Sequence, residues 1–236
     1  MDLGSLSWTV VILSVVGGLL HLDRTAAFQL LISRPLVSST VTGLILGDVK
    51  TGLIIGMVLE LLWLGAQPLG TALPPDDTIV AVAAPAAGII VGKLLGSTQA
   101  PLLGLAVLVS LPLSEGGRFI DSTVRKLNRI FLTRARAAAK NGDIRGVGRQ
   151  NLAGLASFFL FFTLLTGVGV LYALAATYLL YPRLPGTIMT ALTWIFWSLP
   201  FFGCGAVLGR QKGFLTFGIT YLLTFGLMIC LSGGTR

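Results

Sequence analysis

Seven apolar runs, broken by very few charges, fill most of the chain: Leu6 to Leu22, Leu36 to Gly47, Ile79 to Gly92, Pro101 to Leu113, Leu152 to Tyr181, Thr187 to Gly209 and Phe214 to Ser232. A helix that crosses a hydrocarbon core of about 30 Å needs roughly 20 apolar residues. Some runs reach that length and others fall short. In lipid every backbone polar group must be satisfied internally, which leaves helices as the spanning element for runs of this kind. With 54% hydrophobic and 11% charged residues, the expected fold is an all-α polytopic membrane protein. It should combine transmembrane helices, re-entrant or broken helices and a basic amphipathic cytoplasmic segment. Only Asp2 precedes the first run as a charge, so a signal peptide with a basic leader is not expected there. Cys204 and Cys230 both lie in apolar runs, where buried free thiols are expected rather than a disulfide or a metal site.

A net charge of +8 would fit nucleic-acid binding if it were spread over a polar surface, but it is not. Nine of the seventeen Lys and Arg residues fall between Arg118 and Arg149, opposed there only by Asp121 and Asp143. Short basic loops stay in the cytoplasm, so this segment orients the chain. Ile120, Val124, Leu127, Ile130 and Phe131 recur among its charges at helical spacing. The expectation is an amphipathic helix lying in the cytoplasmic interface, with docking of a soluble acidic partner as an additional role. No nucleic-acid partner is expected.

This segment divides the chain into an N-terminal membrane part (1–117), the basic segment (118–150) and C-terminal transmembrane helices (151–236). In the first part, Gly43-Leu-Ile-Leu-Gly47 and Gly52-Leu-Ile-Ile-Gly56 repeat with glycines four apart, a spacing that puts both on one helical face and lets another backbone approach closely. Residues 52–65 would form about 20 Å of helix, too short to cross a bilayer, and the same holds for Leu36 to Gly47. Broken or re-entrant helices of this kind are tolerated where protein or a water-filled cavity receives the freed backbone groups.

Charges in such surroundings are the first candidates for function. A carboxylate such as Glu60, at the bilayer centre, costs roughly 2.5–3.5 kcal/mol on the insertion scale and usually serves a pathway or a partner. On a helix Glu60 shares a face with Gly56, Trp63, Leu64 and Gln67. Carboxylate, amide and indole together suit a polyhydroxylated ligand; the alternative is that Glu60 pairs with a basic side chain elsewhere and holds helices together. Pro68, Pro74 and Pro75 end that helix. Of Asp76 and Asp77, one is expected to cap the next helix, leaving the other to face a cavity or loop. Asp48 and Lys50 are expected to be a helix-end cap and a snorkelling lysine, in a supporting role with Trp63. The Gly-Lys-Thr/Ser sequence of a nucleotide-binding loop is absent. His21 is the only histidine, so no histidine cluster or catalytic triad is available, and neither a metal nor a cofactor is expected.

Arg34-Pro-Leu-Val, Gly43-Leu-Ile-Leu-Gly-Asp48-Val-Lys-Thr-Gly52, Gly56-x-x-Leu-Glu60, Leu64-Gly65 and Pro75-Asp76 follow one another in order over roughly residues 23–80. In this the chain resembles the enzyme IIC subunit of the mannose/fructose/sorbose-type sugar phosphotransferase system. The resemblance implies a multi-pass permease subunit of the bacterial cytoplasmic (inner) membrane, not catalytic by itself, in a hetero-oligomer with a membrane subunit, enzyme IID. Soluble IIA and IIB components would carry the phosphohistidines, with IIB phosphorylating the sugar as it arrives, and a mobile core with re-entrant hairpins would carry it past a more static scaffold. Glu60 and Asp76 match the family's polar residues near the sugar, with Gln67 and Asp77 beside them. Two features depart from the family: Pro68 replaces an Asn-like residue, and the segment from Asp23 to Arg34 is longer. The rival readings are an ion-coupled transporter using Glu60 or Asp48, and a non-transporting membrane scaffold or sensor.

Overall fold

A computed structural model describes residues 3–65, 73–96, 98–209 and 218. Gln67, Pro68, Cys230 and, apart from Gly218, the last apolar run, Phe214 to Ser232, lie outside the described residues. Within them the chain forms eight α-helices and no strand: α1 (Leu3–His21), α2 (Pro35–Ile45), α3 (Val49–Leu62), α4 (Asp77–Leu95), α5 (Ala100–Ser110), α6 (Leu113–Lys140), α7 (Ile144–Leu180) and α8 (Gly186–Gly209). Five helical stretches among the described residues are long and apolar enough to cross a membrane. The chain is a multi-pass membrane protein.

Helix α4 is the axis of the fold. Every residue from Thr78 to Gly92 is buried, as expected of a helix that is apolar on all sides. Its alanines and glycines let neighbours come close on every face. Helix α1 instead shows two sides. Trp8, Val11, Ile12, Val15 and Leu19 are exposed and recur at helical spacing, forming a stripe for lipid or a partner. On its other side Gly17 and Gly18 meet Thr166 and Thr163 of α7 so closely that a Cβ would overlap them.

The short helices α2 and α3 form an antiparallel hairpin whose backbones approach closely at the glycines, as their spacing predicts. A Cβ at Gly43 would lie 2.7 Å from the Asp48 carbonyl oxygen and 2.9 Å from Gly52 Cα, and one at Gly56 would lie 3.0 Å from the Leu36 carbonyl oxygen. Contacts that tight leave room only for hydrogen. Asp48 caps α3 by accepting from Thr51 N at 3.1 Å, the expected role. The hairpin lies along α4: Ser39 Oγ donates to Ala81 O at 2.8 Å, and Lys93 Nζ reaches Leu46 O at the tip at 2.5 Å. Its open end, with Arg34 and Glu60, therefore lies at the same level as the start of α4.

Most of the basic segment lies in α6, an amphipathic helix as expected. Leu113–Lys140 packs antiparallel on the first half of α7, which is 37 residues long. That is about 56 Å, nearly twice a hydrocarbon core, so the paired ends stand out beyond the spans. Part of the apolar face of α6 packs on protein. Val124 is buried with Phe158 and Phe162, Ile120 packs against them, and Leu127 and Ile130 remain exposed. Asn128 adds a polar clasp, donating to Gly154 O at 3.2 Å and accepting from Ser157 Oγ at 2.5 Å. The expected divisions near residues 117 and 150 fall inside α6 and α7.

Helices α5 and α8 complete the bundle. Gly104 of α5 lies against Leu192 O, and Gly203 of α8 against the Leu61 and Leu62 carbonyls. Cys204 is a free, half-buried thiol.

Candidate functional site

Apart from Asp48, Lys50 and Lys93 at the hairpin tip, the described ionisable residues of the membrane part gather at one end of the bundle. Helix α1 ends there, α4 begins there, and α6 rises from it. Helices α1 and α4 have 19 residues each, about 28 Å, so this end lies at one boundary of the spans. The basic α6–α7 pair projects from the same end, which makes it cytoplasmic by the positive-inside rule.

Asp76 organises the cluster. As N-cap of α4 its Oδ1 accepts from Thr78 N at 3.1 Å and Ile79 N at 3.4 Å. The same oxygen accepts from Arg24 Nη1 at 2.7 Å, and Oδ2 lies 2.9 Å from His21 Nε2. Its own N–H donates to Ser114 O at 2.9 Å. Gly117 on α6 presses on the carboxylate, where a side chain would collide. Asp76 is therefore the expected cap, buried behind the cleft and not open to it.

Asp77 is the acid left to the cavity. It pairs with Arg24 Nη1, while Arg24 Nη2 donates to Pro75 O at 2.8 Å. A π-helical turn, Leu22–Ala26, lets the chain leave α1 with Asp23 and Arg24 turned inward; such turns recur at functional sites. Asp23 is buried and accepts from Leu30 N at 2.6 Å and Ser33 N at 3.0 Å. It thereby closes a loop in which Phe28, Gln29 and Leu31 all have positive φ.

Glu60 and Arg34 close the open end of the hairpin. Arg34 Nε donates to Glu60 Oε1 at 2.8 Å, its Nη2 pairs with the same oxygen, and Leu36 N donates to Oε2 at 3.2 Å. A carboxylate at the first turn of α2 also meets the positive end of that helix. On α6, Asp121 accepts from Arg125 at 2.8 and 3.3 Å, and the Arg125 guanidinium stands 6.0 Å from the Phe158 ring centre.

Between these pairs lies a cleft of about 340 Å³, lined by Arg24, Ser33, Arg34, Asp77, Asp121 and Arg125 among others. That is the size of a small-molecule site. Its guanidinium donors and carboxylate acceptors can hydrogen-bond a polar ligand. A larger cavity, about 460 Å³, lies between α6 and α7 and is mainly apolar.

The residues singled out from sequence divide accordingly. Asp77 lines the cleft, Glu60 braces its Arg34 wall, and Asp76 stands behind it. Asp48 and Lys50 lie at the other end of α3, about 15–18 Å along the helix from Glu60. Trp63 packs against the apolar cluster of Ile55, Leu59 and Phe196. Gln67 lies outside the described residues. His21, Arg24, Asp121 and Arg125 join the site without being marked for it by the sequence pattern. For His21 and Arg24 a signal exists, since ionisable groups at the end of an apolar run require partners.

The family profile described as the sorbose-specific IIC component of the PTS system matches residues 7–232. The chain is 34% identical over 122 residues to the fructose permease IIC component of Bacillus subtilis, covering 52% of this chain and 42% of that protein. It is 30% identical over 122 residues to the mannose-specific EIIC component of Escherichia coli, covering 52% of this chain and 43% of that protein. The matches thus span less than half the length of these curated relatives. Two solved structures share the fold along nearly the whole chain. One is described only as a membrane protein, with a TM-score of 0.68 at 22% identity, covering 97% of this chain and 96% of that one. The other is the mannose transporter ManYZ with microcin E492, with a TM-score of 0.59 at 21% identity, covering 100% of this chain and 97% of that one. A profile matched over all but the two ends identifies the chain as a member of the PTS sorbose-specific IIC component family.

Proposed function

We propose that this chain is the membrane permease subunit of a mannose-type sugar phosphotransferase complex in the bacterial cytoplasmic membrane. It binds a hexose in the cleft between the α2–α3 hairpin and α6 and delivers it to the cytoplasm. The chain does not itself perform the phosphoryl transfer. A IID membrane subunit completes the translocation unit, and soluble IIA and IIB phosphocarriers phosphorylate the sugar on arrival, which makes uptake irreversible.

The observation that carries this reading is the polar cleft itself. It opens at the end of the bundle where the basic helices emerge, and charged side chains held in ion pairs line it beside Leu31, Leu73 and Pro74. Names of relatives that specify fructose and mannose agree with a hexose as the substrate class. Asp77, Arg34 and Ser33 supply the first hydrogen bonds to sugar hydroxyls, and Glu60 fixes the direction of the Arg34 guanidinium.

The test is uptake of radiolabelled hexoses into cells that carry this chain with its membrane partner, with and without an intact phosphorelay. Sugar phosphate inside, formed only with the relay, is the expected result. Free sugar that accumulates without the relay and collapses with an uncoupler would replace the proposal with ion-coupled transport.

A further inference from the structure

His21 is the only histidine of the chain and is 1% exposed. Its Nδ1 lies 2.7 Å from the Gly17 carbonyl oxygen, and its Nε2 lies 2.9 Å from Asp76 Oδ2. The ring stacks on Phe162 at 4.2 Å between centroids, which holds both nitrogens in place. A carbonyl oxygen can only accept, and so can an ionised carboxylate; a neutral imidazole offers a single N–H. With His21 neutral and Asp76 ionised, one contact sets a nitrogen lone pair against an oxygen lone pair in a buried site, where an unmade hydrogen bond is expensive. One additional proton removes the conflict. Either both ring nitrogens carry hydrogen, or Asp76 Oδ2 carries it and donates to Nε2.

We infer that His21 and Asp76 together form a proton-binding site that bridges the end of α1 and the start of α4. The bound proton also balances the charge of its surroundings. With it, the four groups His21, Arg24, Asp76 and Asp77 sum to zero; without it they sum to one negative charge at the edge of the hydrocarbon core, where unbalanced charge is costly.

The groups facing the pair come from every element packed on it. The π-helical turn contributes Arg24, and its Asp23 is turned to the Leu30 and Ser33 amides. Helix α4 contributes Asp77. Helix α6 contributes Arg118, paired with Glu115, and Asp121, paired with Arg125. From α7 the described neighbour is the uncharged Phe162 ring. A chamber of about 10 Å³ lies between His21, Arg24, Asp76, Arg118, Asp121 and Phe162. That is close to the space needed for one water beside the pair. The site does not depend on the transport reading and stands or falls separately from it.

Because the chain has one histidine, its ring nitrogens give one unambiguous pair of NMR signals. The experiment is nitrogen-15 NMR of histidine-labelled full-length protein in lipid bilayers at pH 7, with carbon-13 detection of the Asp76 carboxyl. Two protonated ring nitrogens are expected, or a single Nδ1–H together with a neutral Asp76 carboxyl. A neutral ring beside an ionised Asp76 overturns the inference. In Asp76→Asn the amide NH₂ can itself donate to Nε2, so the extra proton is no longer required. The ring signal should then become that of the neutral Nδ1–H form, and a doubly protonated ring in that variant would equally overturn the assignment to the pair.

Discussion

Arg34 reaches Glu60 across 26 positions of sequence and holds it through Nε at 2.8 Å, with Nη2 on the same oxygen. This pair joins the first turn of α2 to the last turn of α3. It makes Glu60 a brace for the cleft wall: the carboxylate pairs with a basic side chain, the alternative to a direct ligand role, and that side chain faces the cavity. Hydrogen bonds to charged groups contribute about 1.5–3 kcal/mol, or one to two orders of magnitude in an equilibrium. Glu60→Gln keeps an oxygen for Arg34 but loses the charge. Hexose uptake should fall at least about tenfold, with the amount of protein in the membrane unchanged. Arg34→Gln should match it, and the double variant should be no worse than either single one, because the two act as a unit. Full uptake by Glu60→Gln would exclude this role.

Arg24 is the shared counter-charge of Asp76 and Asp77. Removing one partner of a buried ion pair typically costs about 3–5 kcal/mol, since the other charges stay buried. Arg24→Gln should lower the Tm of the purified protein by on the order of 10 °C. Adding Asp77→Asn should recover part of the loss. A Tm unchanged by Arg24→Gln would show that the cluster carries no stability.

The hairpin depends on Gly43, where a Cβ would meet the Asp48 carbonyl and Gly52 Cα. Gly43→Val should destabilise by about 1–3 kcal/mol or more through overpacking, visible as a lower Tm and loss of uptake. At Gly116 on α6 a Cβ would have nothing within 4 Å. Gly116→Ala should therefore be neutral or gain up to about 1 kcal/mol of helix propensity.

Phe28 has φ of 66° and is exposed. A left-handed conformation costs a non-glycine residue roughly 1–2 kcal/mol, against about 0.5–1 kcal/mol for the extra freedom glycine has when unfolded. Phe28→Gly should raise the Tm of the isolated chain by a few degrees at most. A fall would mean that the ring contributes packing that outweighs the strain.

What is legible in the sequence follows from the range of each interaction. The shortness of α2 and α3 and the close approach at their glycines are, because short length and glycines four apart are local properties. So is capping by Asp48 and by one of the Asp76–Asp77 pair, which involves neighbours within three residues. The partners of His21 and Arg24 are not, because they lie more than fifty positions away and periodicity carries no information at that distance. For α6 the sequence pattern identifies an apolar face but not what covers it. Lipid and the Phe158 and Phe162 side chains of α7 offer α6 the same kind of apolar surface, and it is the packing against α7 that covers part of that face. Asp121 and Arg125 read in sequence as members of a basic anchor, and only the packing of α6 over the start of α4 brings them to the cleft.

The most direct test of the central claim is to crosslink a photoreactive hexose to the assembled membrane complex and map the modified residues of this chain. The account predicts labelling, suppressed by excess free hexose, within residues 24–34, at Asp77 and along 121–125. Labelling confined to the hairpin tip around Asp48 and Lys50, or to the apolar groove between α6 and α7, would contradict it.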